Sequence, residues 1–461
     1  MEKIVNSLLK GFTENYSDSD FFKWLKDYRD RNNFEIKIIS LENLDNWFIE
    51  PSTNNIKHSS GKFYTIEGIS IETNFGKVAA WDQPIINQPE IGILGIITKI
   101  KDNVRYFLMQ AKMEPGNIDE LQISPTLQAT KSNFTQQHKG KPPLYLEYFI
   151  NKNLSKVLID QHQTEQAGRF YKKRNRNIII EITDDIDIYD GFIWLTLGQI
   201  NTLLNYDNLI NMDTRSVLSC ISYNTDNDFI KYLSNIDINS NSSYLINSLF
   251  QNNSDINSID SIISWVNDQK NEYFPKVQFK GISTLNKWNI LNGVLQDINK
   301  KYFEVIGVKV KASNREVSNW TQPMIADSKI GLSGFILTKI NNKFYFLVQA
   351  KSEPGSIDSV DLAPTVSCSD YINANIEFLE NFLKCKKENI LYDKNLSEEG
   401  GRFYKLQNRY MIIIDNSIET NDIPKNYKLL NLHEILFFAK FSYFNIEART
   451  LLSCINYFTS I

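Results

Sequence analysis

Histidine is scarce in this 461-residue sequence: only His58, His138, His162 and His433 occur. Cysteine is as sparse, and Cys220, Cys368, Cys385 and Cys454 show no CxxC spacing. No pair of His or Cys sits at ligand intervals, which excludes a zinc site of the usual paired kind. Two of the cysteines fall at matching places in "VLSCI" and "LLSCI", the behaviour of buried small apolar residues. Long apolar runs are also missing. "IGILGII" ends at Thr98 and Lys99, far short of the roughly 18 residues of a membrane span, and the N-terminal apolar stretch is too short for a signal peptide. A cytoplasmic location without membrane contact is expected. No GxGxxG opens a βαβ unit and no P-loop occurs, which argues against a bound dinucleotide or an NTPase. Positive charge is not in excess: 50 Lys and Arg face 54 Asp and Glu, for a net charge of -4, so no broad basic field is available to coat nucleic acid.

What the sequence does contain is itself, twice. "QAKMEPGNIDELQISPT" from Gln110 and "QAKSEPGSIDSVDLAPT" from Gln349 agree at ten of seventeen positions. Further anchors carry the repeat outward: Trp24 with Trp265, Trp47 with Trp288, "WDQP" at Trp81 with "WTQP" at Trp320, "GRFY" at Gly168 with "GRFY" at Gly401, and Arg215 with Arg449. Units this long are not solenoid repeats but a tandem duplication. An Asn- and Ser-rich stretch places the boundary near Ser240, giving units 1–240 and 241–461.

Within each unit an amphipathic helix comes first: "DFFKWLKDYRDR" sets Phe21, Trp24, Leu25 and Tyr28 on one face. Short β-branched and aromatic runs follow, among them "IGILGIITKI", "VRYFLMQAK" and "RNIIIEI", parted by turn residues. Helical spacing returns in "WLTLGQINTLL" and "LLNLHEILFFAKF". The expected class is α+β, a mixed sheet with flanking helices.

Three groups of residues carry chemistry. Lys112 and Glu114, two apart at a strand end, point the same way, and Pro115-Gly116 fixes a turn beyond them. A surface ion pair is the bland alternative, and the recurrence of the motif argues against it. "GRFYKKRNRN" places Arg169 and Arg176 beside Phe170 and Tyr171, a combination suited to phosphate oxygens and a base. The second unit keeps both arginines as Arg402 and Arg409, but has Leu406 and Gln407 where the first has Lys173 and Arg174. His58 and His138 have no histidine opposite them in the second unit, which suggests one working and one degenerate site.

The set "HSSGKFY", "WDQPIINQPEIGILG", "QAKMEPGNIDELQISPTLQATKSNFTQQHKG" and "TEQAGRFYKKRNRN" resembles the NDP-hexose 2,3-dehydratases of deoxysugar biosynthesis over nearly the whole chain. The resemblance implies two tandem Nudix-like domains, although neither unit contains the Nudix box of glutamates. It also implies a homodimer, and the loss of water from an NDP-4-keto-6-deoxyhexose, dTDP-linked first of all, to give an NDP-3,4-diketo-2,6-dideoxyhexose. His58, Lys112, Glu114, His138 and Tyr171 are then the catalytic candidates, and Trp81, Gln83, Asn117, Gln128, Arg169 and Arg176 the nucleotide-binding ones. No metal or cofactor is expected. On this reading the first unit is the catalytic copy and the second a vestigial or nucleotide-binding one. A non-catalytic sugar-nucleotide-binding protein with two pockets is the alternative.

Overall fold

A computed structural model describes residues 2–14, 16–131, 142–221, 240–252, 255–315, 317–419 and 422–457. His138 lies outside the described residues. Among the described residues the chain is α+β, with four sheets and helices packed on them. No described helix is long and apolar enough to cross a membrane.

Two seven-stranded mixed sheets repeat one strand order. In the first half, Lys156–Thr164, Arg174–Ile182, Ile93–Lys101, Val104–Met113 and Phe192–Leu195 lie side by side, with Leu121–Pro125 and Leu127–Ala129 added along the middle strands. Among the described strands of this sheet, only Arg174–Ile182 against Ile93–Lys101 is parallel. The second half repeats this with Gln407–Ile414 parallel to Gly331–Ile340. Gln110 stands opposite Phe192 and Ser124, and Gln349 opposite Tyr427 and Ala363.

These strands read as unbroken apolar runs because both of their faces are covered. Leu94, Ile96, Phe107 and Met109 enter one large core, while Ile93, Ile97 and Leu108 meet the short helix Leu146–Ile150 on the other side. The large core is shared: Phe335, Leu337, Phe344 and Phe346 of the second half belong to it. Helix Asp18–Arg31, started by a Ser17 and Asp20 capping box, buries Phe21, Leu25 and Tyr28 there.

The halves then exchange strands. Phe34–Ile39 leaves that helix and pairs antiparallel with Gly307–Ala312 of the second half, while Lys276–Lys280 pairs with Gly68–Glu72 of the first. Alternation explains the fit of the first of these strands. Phe34 and Ile36 face Ile306, Val308 and Met324, so Glu35 and Lys37 face away. Each half thus completes a small sheet of the other. The paired tryptophans seal the same seam, since the Trp47 indole donates to the Thr321 carbonyl at 3.0 Å and the Trp288 indole to the Asp82 carbonyl at 3.0 Å.

A second set of crossings is made by the motif that recurs most closely. The Gly116 amide donates to the Gly400 carbonyl at 2.8 Å and the Lys405 amide to the Gly116 carbonyl at 2.9 Å; Gly355 does the same with Ala167 and Lys172 at 2.8 and 3.0 Å. Each Pro-Gly turn is therefore docked on the "GRFY" loop of the opposite half. Glycine is required there, because a Cβ on Gly116 would overlap the carbonyl oxygen of Phe403, and one on Gly355 that of Phe170. Two fully buried arginines add to the clamp: Arg215 donates to the Ser397 carbonyl and Arg449 to the Thr164 carbonyl.

Gly116→Ala and Gly355→Ala should each destabilise the whole molecule by about 3 kcal/mol, the upper end of ordinary overpacking. Gly11→Ala, where a Cβ meets nothing within 4 Å, should change stability by less than about 0.5 kcal/mol. Urea unfolding of the three variants checks both values.

Candidate active site

Strand Val104–Met113 ends at the first Pro-Gly turn, and this delivers Lys112 and Glu114 to a buried place, with residue exposures of 8% and 4%. Their charged groups are 3.5 Å apart. The Gln128 amide donates to Glu114 Oε1 at 3.0 Å, and Asn211, which caps helix Met212–Leu218, donates to Gln128 Oε1 at 3.2 Å. The second carboxylate oxygen of Glu114 is buried without a hydrogen-bond partner among the described residues.

These groups form the floor of a cavity of about 700 Å³, a size suited to a sizeable small-molecule ligand. Glu165, Lys173 and Asp213 of the first half complete the floor. The wall opposite comes from the second half, which contributes Glu399, Arg402, Trp320 and Gln322. Lys309 and Lys311, two apart and therefore on one face of their strand, are exposed at the rim, with Arg315 half-buried beside Trp320. Trp47, His58, Phe63 and Tyr64 close an aromatic side. The Arg402 guanidinium lies 4.2 Å over the Tyr64 ring, a stabilising cation–π contact.

Burial tunes the floor for proton transfer near neutrality. It draws the Lys173 ammonium down to about 8, with Glu165 and Glu90 resisting. It pushes the Glu399 carboxyl up to about 7 against the pull of Arg402, and the neighbouring Glu114 and Glu165 add to the rise. Asp213 is raised well above the ordinary carboxylate range by burial first, then by Glu399, Glu165 and Glu114, with Lys112 opposing. Glu165 is raised by burial against Arg449 and Lys173. Among the described residues no group of three or more His, Cys, Asp or Glu side chains is placed to hold a metal ion.

Of the residues singled out in the sequence, His58, Lys112, Glu114 and Gln128 line this cavity. His58, half-buried, has Nδ1 at 2.8 Å from Ser60 Oγ and its ring against Phe63 and Trp47. Lys173 and Phe170 line the cavity too, whereas Trp81, Gln83, Asn117, Arg169, Tyr171 and Arg176 do not; the "GRFY" loop of the first half is docked on the Pro-Gly turn of the second. Arg169 is 3.8 Å from Asp327 and 4.2 Å over Phe303. Trp81 donates to Gln83, which donates to the Gly168 carbonyl at 3.0 Å. The same relay runs from Trp320 through Gln322 to the Gly401 carbonyl in the cavity wall. Tyr171 meets Phe279 edge-on at 4.7 Å, and Asn117 closes its own turn by donating to the Glu120 carbonyl. Arg176 makes a two-pronged pair with Asp160 at 2.7 and 2.6 Å, as Arg409 does with Asp393.

Several cavity groups escaped sequence reasoning: Glu165, Asp213, Lys309, Lys311, Arg315, Trp320, Glu399 and Arg402. One signal pointed toward some of them, the positions where the repeats differ in ionisable character. Glu399 stands where the first half has Gln166, Lys173 where the second has Leu406, and Tyr64 where the second has Phe303. His58 and Asp297 also correspond, each paired across its hairpin with the equivalent tryptophan.

Asp213 supplies a pH test. Its folded pKa lies above its unfolded value of about 4, so ionisation favours the unfolded chain once the pH passes that value, and stability falls as pH rises. Asp213→Asn should therefore raise the melting temperature by about 1 to 3 °C at pH 8 and by much less at pH 4. Scanning calorimetry at the two pH values measures the difference.

A family model described as NDP-hexose 2,3-dehydratase matches residues 18–221 and 259–455. The chain is 38% identical to a dTDP-4-dehydro-6-deoxy-alpha-D-glucopyranose 2,3-dehydratase of Saccharopolyspora spinosa, over 98% of this chain and 94% of that one. It is 37% identical to the protein of that name in Amycolatopsis orientalis, over 95% and 90%, and 34% to the one in Streptomyces violaceoruber, over 94% and 96%. With the family model matched in both halves, and relatives at 34–38% identity over at least 94% of this chain, the chain belongs to the NDP-hexose 2,3-dehydratase family.

Proposed function

We propose that the chain is a hydro-lyase that removes water across carbons 2 and 3 of an NDP-4-keto-6-deoxyhexose, giving an NDP-3,4-diketo-2,6-dideoxyhexose, with dTDP-4-dehydro-6-deoxyglucose as its substrate. One observation carries the reading in a member of this family: a single cavity joins a cationic, aromatic rim to a floor of buried acid–base groups. A diphosphate suits Lys309, Lys311 and Arg315, and a base suits the face of Trp320. The hexose then reaches the floor. Its 4-ketone acidifies the proton on carbon 3; the Glu114 carboxylate, presenting a buried unpaired oxygen, takes that proton, and Lys112 holds the enolate oxygen. His58 is placed for the sugar or for a later proton transfer at the aromatic side, and His138 remains a candidate outside the described residues. Trp81, Gln83 and Arg169 belong to the matching junction of the other half, and their counterparts Trp320, Gln322 and Arg402 serve the nucleotide here.

The finer architecture is part of the same proposal. The repeated mixed sheets, each with one parallel pair and flanking helices, support two Nudix-like domains in tandem. Assembly as a homodimer belongs to the same proposal, with the family resemblance in its support. A cytoplasmic location is supported by four free cysteines, which suit a reducing compartment.

Incubation with a panel of NDP-4-keto-6-deoxyhexoses should yield a product lighter by one water, read by mass spectrometry, with the dTDP-linked glucose derivative turned over fastest. Glu114→Gln should lower kcat roughly 10²- to 10⁴-fold. Lys311→Ala should raise KM about tenfold with kcat nearly unchanged, as loss of uniform binding does. Binding of every sugar nucleotide without release of water would favour the non-catalytic alternative.

A further inference from the structure

The elimination needs a proton donor as well as a base, because hydroxide is a poor leaving group. Resting on the dehydratase reading above, we propose that Glu399, supplied by the second half, is the catalytic acid that protonates the departing hydroxyl on carbon 2.

Geometry carries the assignment. Glu399 lines the cavity. One of its carboxyl oxygens accepts from the Gly401 amide at 2.9 Å, while the other is buried without a hydrogen-bond partner among the described residues. One oxygen is thus anchored and one is left for a ligand. Its loop is pinned to the turn that carries Glu114: Gly116 donates to Gly400 at 2.8 Å, and a Cβ on Gly400 would stand 3.1 Å from the Cβ of Glu114. Base and acid are therefore held against each other by one backbone contact, although 285 residues separate Glu114 from Glu399 in the sequence.

The other half carries a different residue at this position. There the residue is Gln166, and its amide is committed to Glu398 at 2.6 Å. A carboxyl is not needed to build the loop.

The titratable groups facing Glu399 are Arg402 on its own loop, Glu114 from the strand end, Glu165 beyond Lys156–Thr164, Lys173 and Tyr64 from the first half, and Asp213 on helix Met212–Leu218. Lys173 and Lys112 lie on the same floor. Burial and the two glutamates outweigh Arg402 and hold the carboxyl protonated up to about pH 7. Two carboxyl groups at one site thereby take different roles.

Glu114 takes the proton from carbon 3, and the C–H electron pair moves into the carbon 3 to carbon 4 bond as the ketone becomes an enolate. The enolate re-forms the ketone and drives its electrons into the carbon 2 to carbon 3 bond. The carbon 2 to oxygen bond breaks, the leaving oxygen keeps that pair and takes the proton of Glu399, and one water departs. The 3-hydroxy enone that remains loses its hydroxyl proton and gains one at carbon 2, which gives the diketone without further change in composition.

The test uses the full-length protein with dTDP-4-dehydro-6-deoxyglucose in D₂O. Glu399→Gln should fold, since glutamine occupies the matching place in the first half, and its melting curve checks that. It should lose water-releasing turnover roughly 10²- to 10⁴-fold yet continue to exchange the carbon 3 proton for deuterium. It should also expel fluoride from the 2-deoxy-2-fluoro analogue at close to the wild-type rate, because fluoride leaves without a proton. Wild-type kcat should fall as pH rises through about 7, and Glu399→Asp should retain such a limb. Full turnover in Glu399→Gln, or loss of fluoride release together with water release, would overturn the assignment of Glu399. Failure of the wild-type protein to release water from any NDP-4-keto-6-deoxyhexose would instead remove the dehydratase reading on which it rests.

Discussion

The docking of each Pro-Gly turn on the "GRFY" loop of the opposite half is the contact on which the rest of the molecule depends. It is made of backbone hydrogen bonds between surfaces that touch too closely for any Cβ. Such a contact tolerates no adjustment, so it fixes whatever the two loops carry. On one side it carries Lys112 and Glu114, on the other Glu399 and Arg402. The exchanged strands and the crossed arginines Arg215 and Arg449 hold the same seam shut from both sides. A pair of halves built this way gains a cavity that neither half owns.

That arrangement also accounts for the cost carried at the floor. Several ionisable groups are buried together, and the carboxyl groups of Asp213, Glu165 and Glu399 are all raised. In the other junction Leu406 stands in place of Lys173 and Gln166 in place of Glu399, while Glu398 and Glu447 keep the carboxyls of Glu165 and Asp213 and are likewise raised by burial. Ionisable groups gathered on a buried floor are what acid–base chemistry requires.

Much of the fold was legible in the sequence. The α+β class followed from period-2 and period-3.6 runs, and strands such as Ile93–Lys101 and Val104–Met113 formed where β-branched and aromatic residues cluster. Lys112 and Glu114 were legible as a pair because a strand end and a Pro-Gly turn set their direction. The exchange was not. "FEIKII" has the alternation of a strand, but alternation specifies a face and not a partner. A sequence that pairs motifs within one repeat places Arg169 beside Lys112, whereas the crossed loops place Arg402 there. The residues drawn from the second half were therefore beyond reach, except through the ionisable differences between the repeats.

On the proposed mechanism, chemistry occurs where the first half's Glu114 meets the second half's loop. Steady-state turnover of Arg402→Ala and Arg169→Ala, compared on folded protein, addresses it most directly. Arg402→Ala should lose about 10²-fold or more in kcat/KM, the size expected for a buried charge-assisted contact to substrate. Arg169→Ala should stay within about threefold of wild type. The reverse pattern, with Arg169→Ala inactive and Arg402→Ala fully active, would contradict it.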